Sequence, residues 1–150
     1  MKEINDKLID EIYFERELKD KYFLHPRMMF CAIDNQEKMV YQNQAWLDNL
    51  QMTRQDFEKI KFSSLLHPDD LDKSMDAWDF FQATGKPAVE AFVNRYRRKD
   101  QSYAWIQWYS PIWDEELKIW LYMCYSLKSE EQGHQEYQNE YVPFKWRKDE

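Results

Sequence analysis

The sequence predicts an α+β domain: a helix, two strands, a group of short helices, a longer helix and then three strands. Three observations carry that order. The run MMFCAIDNQEKMVYQN over 28–43 holds two apolar stretches around a polar turn cluster, which is the pattern of a hairpin. His67-Pro68-Asp69-Asp70 places proline at a first helical position and acids in the first turn, where unpaired amides and the helix dipole favour them. The runs 88–98, 103–113 and 118–127 read as strands separated by KDQS and DEEL turns. At 150 residues the chain has the length of one domain, burying ~68% of its unfolded surface when compact.

In order, Ile4, Leu8, Ile12, Leu18 and Tyr22 fall near helical spacing over 2–22, with Ile9, Tyr13 and Phe14 displaced to one side, and Pro26 lies beyond. This stripe is too thin for a coiled coil and adequate for docking, so 1–24 is expected to be an N-terminal capping helix. After the hairpin, Asn43 suits the N-cap of a helix carrying Ala45, Trp46 and Leu50. Thr53 with Asp56 gives a capping-box start to a short helix around Phe57. The helix opened by Pro68 carries Leu71, Met75, Trp78 and Phe81 on one face and is stopped by Gly85 and Pro87. The tail 129–150 is charged, with Tyr137, Tyr141, Phe144 and Trp146 embedded. Aromatic residues form 17% of the chain and Gly occupies only two positions, so large rings fill the interior and Asn, Asp and Gln must make the turns.

Charge and cysteine content remove several classes. A net charge of −7, with Arg95, Arg97, Arg98 and Lys99 as the one basic cluster and Asp100 behind it, argues against nucleic acid as partner. The chain lacks the ~18-residue apolar run of a membrane span, and its first residues are too acidic for a secretory signal, so a cytoplasmic protein is expected. Cys31 and Cys124 have neither CxxC nor Cys/His spacing, so no zinc or other metal site and no disulfide framework is expected.

HPDD at 67–70 and RYRRKDQSYAWI at 95–106 together resemble the signature of Per-Arnt-Sim (PAS) domains, in the subclass running HPxD, a helix, then RxRxKDGxxxWI. The resemblance covers roughly 28–127. It implies the PAS fold, a five-stranded antiparallel sheet with short helices on one face, and a role in signal transduction. The chain departs from the pattern at Gln101, where the family carries Gly, and at SLK over 126–128, where many members end in Asp-Ile-Thr. A Gly expected after the first strand is also missing. Relay into a covalently attached output is therefore in doubt, and a stand-alone module is expected.

The family register implies that Asn94, Tyr96, Ile106, Trp108, Ser110, Trp120, Tyr122 and Cys124 point under the helices. With Ile33, Trp78 and Phe81 they form the implied ligand pocket, mostly apolar with a few polar groups. Tyr122 stands where the family usually carries Gly, so a core filled by its own rings is the competing reading. The segment 71–84 has no His for haem, and IKFSSLL over 60–66 lacks the reactive Cys of flavin photosensors, so neither cofactor is expected and an unidentified small molecule is the candidate ligand. The same register puts Trp105, Tyr109, Leu121, Met123 and Tyr125 on the opposite face, together with Arg95 and Arg97. Such a surface needs cover. The N-terminal helix, through Ile4, Leu8 and Ile12, and a second subunit are the expected cover, which predicts a homodimer.

His67 is explained by helix initiation, and His25 and His134 have no acid or nucleophile near them in sequence. Cys31 and Cys124 fall on adjacent strands in the implied order; buried inert thiols are preferred over a redox pair. The expected function is a non-enzymatic sensory or regulatory module that dimerises and acts on a separate protein, gated by a small apolar or aromatic ligand. The alternatives are a ligand-free interaction adaptor with a filled core and, less favoured, an isomerase or dehydratase of the nuclear-transport-factor type, for which the expected interior shows no acid and base pair.

Overall fold

The computed structural model describes residues 28–86, 92–109, 111–127 and Gly133. The expected capping helix with Ile4, Leu8 and Ile12, the tail other than Gly133, and Ser110 lie outside the described residues. Strands β1 (Met28–Asp34) and β2 (Met39–Gln42) form the expected hairpin. Asp34 fixes the turn by accepting from the backbone N–H groups of Gln36 and Lys38. Helix α1 (Gln44–Leu50) is N-capped by Asn43, whose side chain accepts from the Trp46 N–H and also bonds Phe30 and Met28 of β1. Thr53 and Asp56 close a capping box at α2 (Arg54–Glu58), and a 3-10 turn (Phe62–Leu65) follows. The long helix α3 (Pro68–Thr84) begins where the proline and acids place it and ends on Gly85 in the left-handed conformation, φ 69°. His67 is its N-cap: Nδ1 accepts from the Asp69 N–H at 3.0 Å.

Strands β3 (Phe92–Arg97), β4 (Tyr103–Trp108), β5 (Ile112–Asp114) and β6 (Ile119–Ser126) complete one antiparallel sheet in the order β2-β1-β6-β4-β3, with β5 beside β6. The antiparallel sheet with its helices is as expected, and the first and last strands are neighbours. The strand count differs. The single strand expected over 103–113 is broken into β4 and β5 because Pro111 has no N–H to give the ladder. Trp108 faces Cys124, whereas Trp113 faces Trp120, so one extra residue separates the two halves and reverses which side chains point inward.

With Gly at only two positions, other residues adopt the left-handed turns: Glu37, Gln51, Gln101 and Lys118 all have positive φ. Acidic and lysine side chains share this task with the glutamines.

The two sequence motifs meet at the edge strand β3. Leu66 bridges to Tyr96, the His67 N–H donates to the Arg95 carbonyl, and Asp70, 1% exposed, accepts from the Arg95 backbone N–H at 2.8 Å. The Arg95 side chain then grips the same carboxylate through Nε at 2.9 Å and Nη2 at 2.7 Å while lying over the Trp105 ring. HPDD thus covers a sheet edge that would otherwise present unpaired amides and carbonyls. Arg98 reaches the other way: its guanidinium donates to the Asn49 carbonyl at the end of α1 and to the Tyr103 carbonyl, while Gln51 and Asp100 exchange hydrogen bonds. The basic cluster is a clasp between sheet and helices.

The core lies between the helices and the inner sheet face, around Trp46, Tyr96 and Trp108, whose ring centroids are mutually 5.5 Å apart. On the outer face, Trp105 and Leu121 are only 4% and 5% exposed within a single chain, which corrects their expected place on an open partner surface. Gly133, helical and buried, lies against Trp105 so closely that a Cβ would meet the indole carbons. Met123 and Tyr125 are half-buried on that face.

Candidate functional site: an aromatic cavity under the long helix

Helix α3 contributes Ser74, Ala77, Trp78 and Phe81, at the spacing that puts side chains on one helical face. Alternate residues of β3, Phe92, Asn94 and Tyr96, form the facing wall. Ile33, Phe62, Trp108 and Tyr122 close the floor, and Tyr109 and Pro111 stand at the break between β4 and β5. The cavity is partly open to solvent and offers about 90 Å³ to water-sized centres, room for roughly six waters.

Seven residues expected in a pocket, Ile33, Trp78, Phe81, Asn94, Tyr96, Trp108 and Tyr122, line this one space. Three others do not, and Ser110 lies outside the described residues. Ile106 and Cys124 are 0% exposed in the core around Trp46, Tyr96 and Trp108. Trp120 turns aside to pack between Phe81 and Trp113, at centroid distances of 4.4 and 4.5 Å. Tyr109, expected on the outer face, joins the cavity lining because the β4–β5 break ends the alternation there. Phe62, Ser74, Ala77, Phe92 and Pro111 complete the lining beyond the expected set. Helical spacing from Trp78 and Phe81 pointed to Ser74 and Ala77, and strand alternation from Asn94 pointed to Phe92. No local signal marks Phe62.

The polar groups fall into two sets. On one side the Trp108 indole N–H donates to Asn94 Oδ1 at 2.7 Å, and the Asn94 amide nitrogen donates to Ser74 Oγ at 3.1 Å, so one relay satisfies a buried amide. On the other, Tyr96 and Tyr122 bring two phenols to the lining, and no hydrogen bond joins either hydroxyl to a described residue. Burial pushes the Tyr96 hydroxyl well above its ordinary range, reinforced by Cys31, Cys124 and Tyr122, and does the same to Tyr122. Both stay protonated donors. Burial likewise pushes the Cys124 thiol up, with the Cys31 side chain bonded beside it, so the thiolate needed for nucleophilic or redox chemistry is disfavoured. No carboxylate or imidazole lines the cavity among the described residues, and those residues hold no cluster of metal-ligating side chains.

The sequence pattern of the PAS fold family matches residues 39–126, more than half of the chain. This chain belongs to the PAS fold family. No curated protein matches it. Among solved structures it is similar to a light-oxygen-voltage domain studied with a flavin analogue, at 15% identity and TM-score 0.61, covering 83% of this chain and 90% of that one. It is also similar to the PAS-B domain of Cycle from Drosophila melanogaster with bound ethylene glycol, at 15% identity and TM-score 0.55, covering 66% and 99%. A PAS domain from a two-component sensor histidine kinase matches at 12% identity and TM-score 0.53, covering 79% and 98%. These likenesses establish the PAS fold. A flavin does not fit the residues present: the cavity of about 90 Å³ is smaller than the ~150 Å³ that accommodates benzene, and the Tyr122 ring, edge-on to Trp108 at 5.1 Å, occupies the floor.

Proposed function

We propose that this chain is a stand-alone, non-enzymatic PAS sensory or regulatory module in signal transduction, whose cavity takes a small ligand and which acts, as a homodimer, on a separate cytoplasmic protein. The observation that carries the reading is the partly open aromatic cavity of about 90 Å³ with two phenol hydroxyls at its lining. A filled core would leave no such space, and a buried phenol without a partner is a cost that a bound ligand removes. Support comes from the PAS fold itself, from the sensor histidine kinase PAS domain and from Cycle PAS-B, whose bound ethylene glycol is a small polar molecule. The lack of a carboxylate or imidazole at the described lining supports a binding role over general acid and base catalysis. No described helix is long and apolar enough to cross a membrane.

Native mass spectrometry of gently purified full chain tests the reading. A reproducible small-molecule adduct that disappears when a bulky residue fills the cavity, as in Ala77→Phe, is expected. A bare mass, with no stabilisation by any small neutral compound, turns the reading over to a ligand-free adaptor. Light scattering on the same sample reads the dimer, with a monomer mass at micromolar concentration as the contrary result.

A further inference from the structure

We propose that the cavity selects a neutral small molecule carrying a hydrogen-bond acceptor, and rejects carboxylates and ammonium ions of the same shape. This rests on the reading of the cavity as a ligand site. The described lining contains no charged side chain. The nearest strong charges are already committed, Asp70 to Arg95 in a bidentate pair at the edge of β3. Asn94, which would otherwise be an adaptable amide, spends its oxygen on the Trp108 N–H and turns its nitrogen to Ser74. What faces the space is aromatic surface with the hydroxyls of Tyr96 and Tyr122 as donors, each lacking a hydrogen bond to a described residue. A ligand acceptor satisfies these donors.

An ion of either sign gains no such balance. Moving it from water into a site without a counter-charge leaves its solvation uncompensated, a penalty that corresponds to a loss of at least about 100-fold in affinity. Size sets the second limit. A single substituted ring exceeds the ~150 Å³ scale of a closed benzene site less than a fused ring system does, and at about 90 Å³ part of even a single ring must stay in the mouth beside Tyr109.

Calorimetric titration of the full chain with benzyl alcohol, benzoate, benzylamine and toluene tests this, since the first three share a ring and a one-carbon arm and differ in charge. The expected result is measurable binding of benzyl alcohol with both ions at least about 100-fold weaker. Tyr122→Phe and Tyr96→Phe, each first shown folded by circular dichroism, should weaken benzyl alcohol about fivefold and leave toluene unchanged, because only the donor is lost. Binding of benzoate or benzylamine within tenfold of the alcohol overturns the selectivity while leaving the ligand site standing. Failure of all four compounds to bind at millimolar concentration overturns the ligand site and the selectivity with it.

Discussion

Strand β3 sends Arg95, Arg97 and Arg98 into one kind of structure and Phe92, Asn94 and Tyr96 into another. The arginines enter a clasp in which donors meet fixed partners: Asp70, the Ser64 carbonyl, and the Asn49 and Tyr103 carbonyls. The alternate residues enter the cavity, where one amide is satisfied by a relay and two phenols are not bonded to described residues. The difference separates the parts that hold the domain together from the part that can respond to something outside it. In this chain the residues that mark the family are structural, and the residues that give the cavity its chemistry lie between and beyond them.

Substitutions can break that division, and the largest effect is expected at the clasp. Asp70→Ala leaves the Arg95 guanidinium and backbone N–H without their carboxylate at a mostly buried site, and should cost about 3 kcal/mol in urea unfolding. A loss under about 1 kcal/mol would show that the clasp is ornamental. Tyr122→Ala should cost about 2–4 kcal/mol by enlarging the cavity, yet recover part of that on adding benzene or toluene; Tyr122→Phe should stay within about 0.5 kcal/mol of the parent, since its hydroxyl has no described partner. A large cost for the Phe variant would mean that the hydroxyl belongs to the structural part.

Smaller effects sharpen the comparison. Arg98→Ala removes bonds to the ends of α1 and β4 and should cost about 1–2 kcal/mol, with ligand binding unchanged. Gln101→Gly should raise stability by about 0.5–1 kcal/mol, because the turn holds Gln101 at φ 75° where a side chain is strained; a decrease would show that its side chain matters more than its backbone. The last test is in acid. Hydrogen bonds from Ser102, then Gln51 and the nearby Arg98 charge, lower the Asp100 carboxyl from 3.8 to about 2. A carboxyl lowered in the folded state contributes stability above its unfolded value, and that contribution fades as pH falls from about 4 through about 2. Asp100→Asn should therefore flatten the melting temperature's dependence on pH in that window and nowhere above it.

Much of the scaffold was legible because it rests on local chemistry. Asn43, Thr53, Asp56, Pro68 and Gly85 begin and end helices through groups within a few residues of themselves. The inward set on β3 followed from alternation alone. Alternation failed at Tyr109, because a break of one residue between β4 and β5 reverses the faces, and Pro111 announced an interruption without saying how the register resumes. It also failed to separate lining from core: Ile106 and Cys124 share the inward face with Trp108, but neighbouring rings cover them.

By itself, the sequence determined the order of elements, the helix caps, the antiparallel sheet and membership of the PAS fold, since these depend on spacing, turn chemistry and a recognisable motif. Only the tertiary structure decided that HPDD and the arginines form a clasp, that Trp105 is covered within one chain, and that a cavity survives among so many rings. Those outcomes depend on how side chains far apart in sequence fill or leave space between α3 and the sheet, and packing of that kind is a property of volumes in three dimensions that no local pattern encodes.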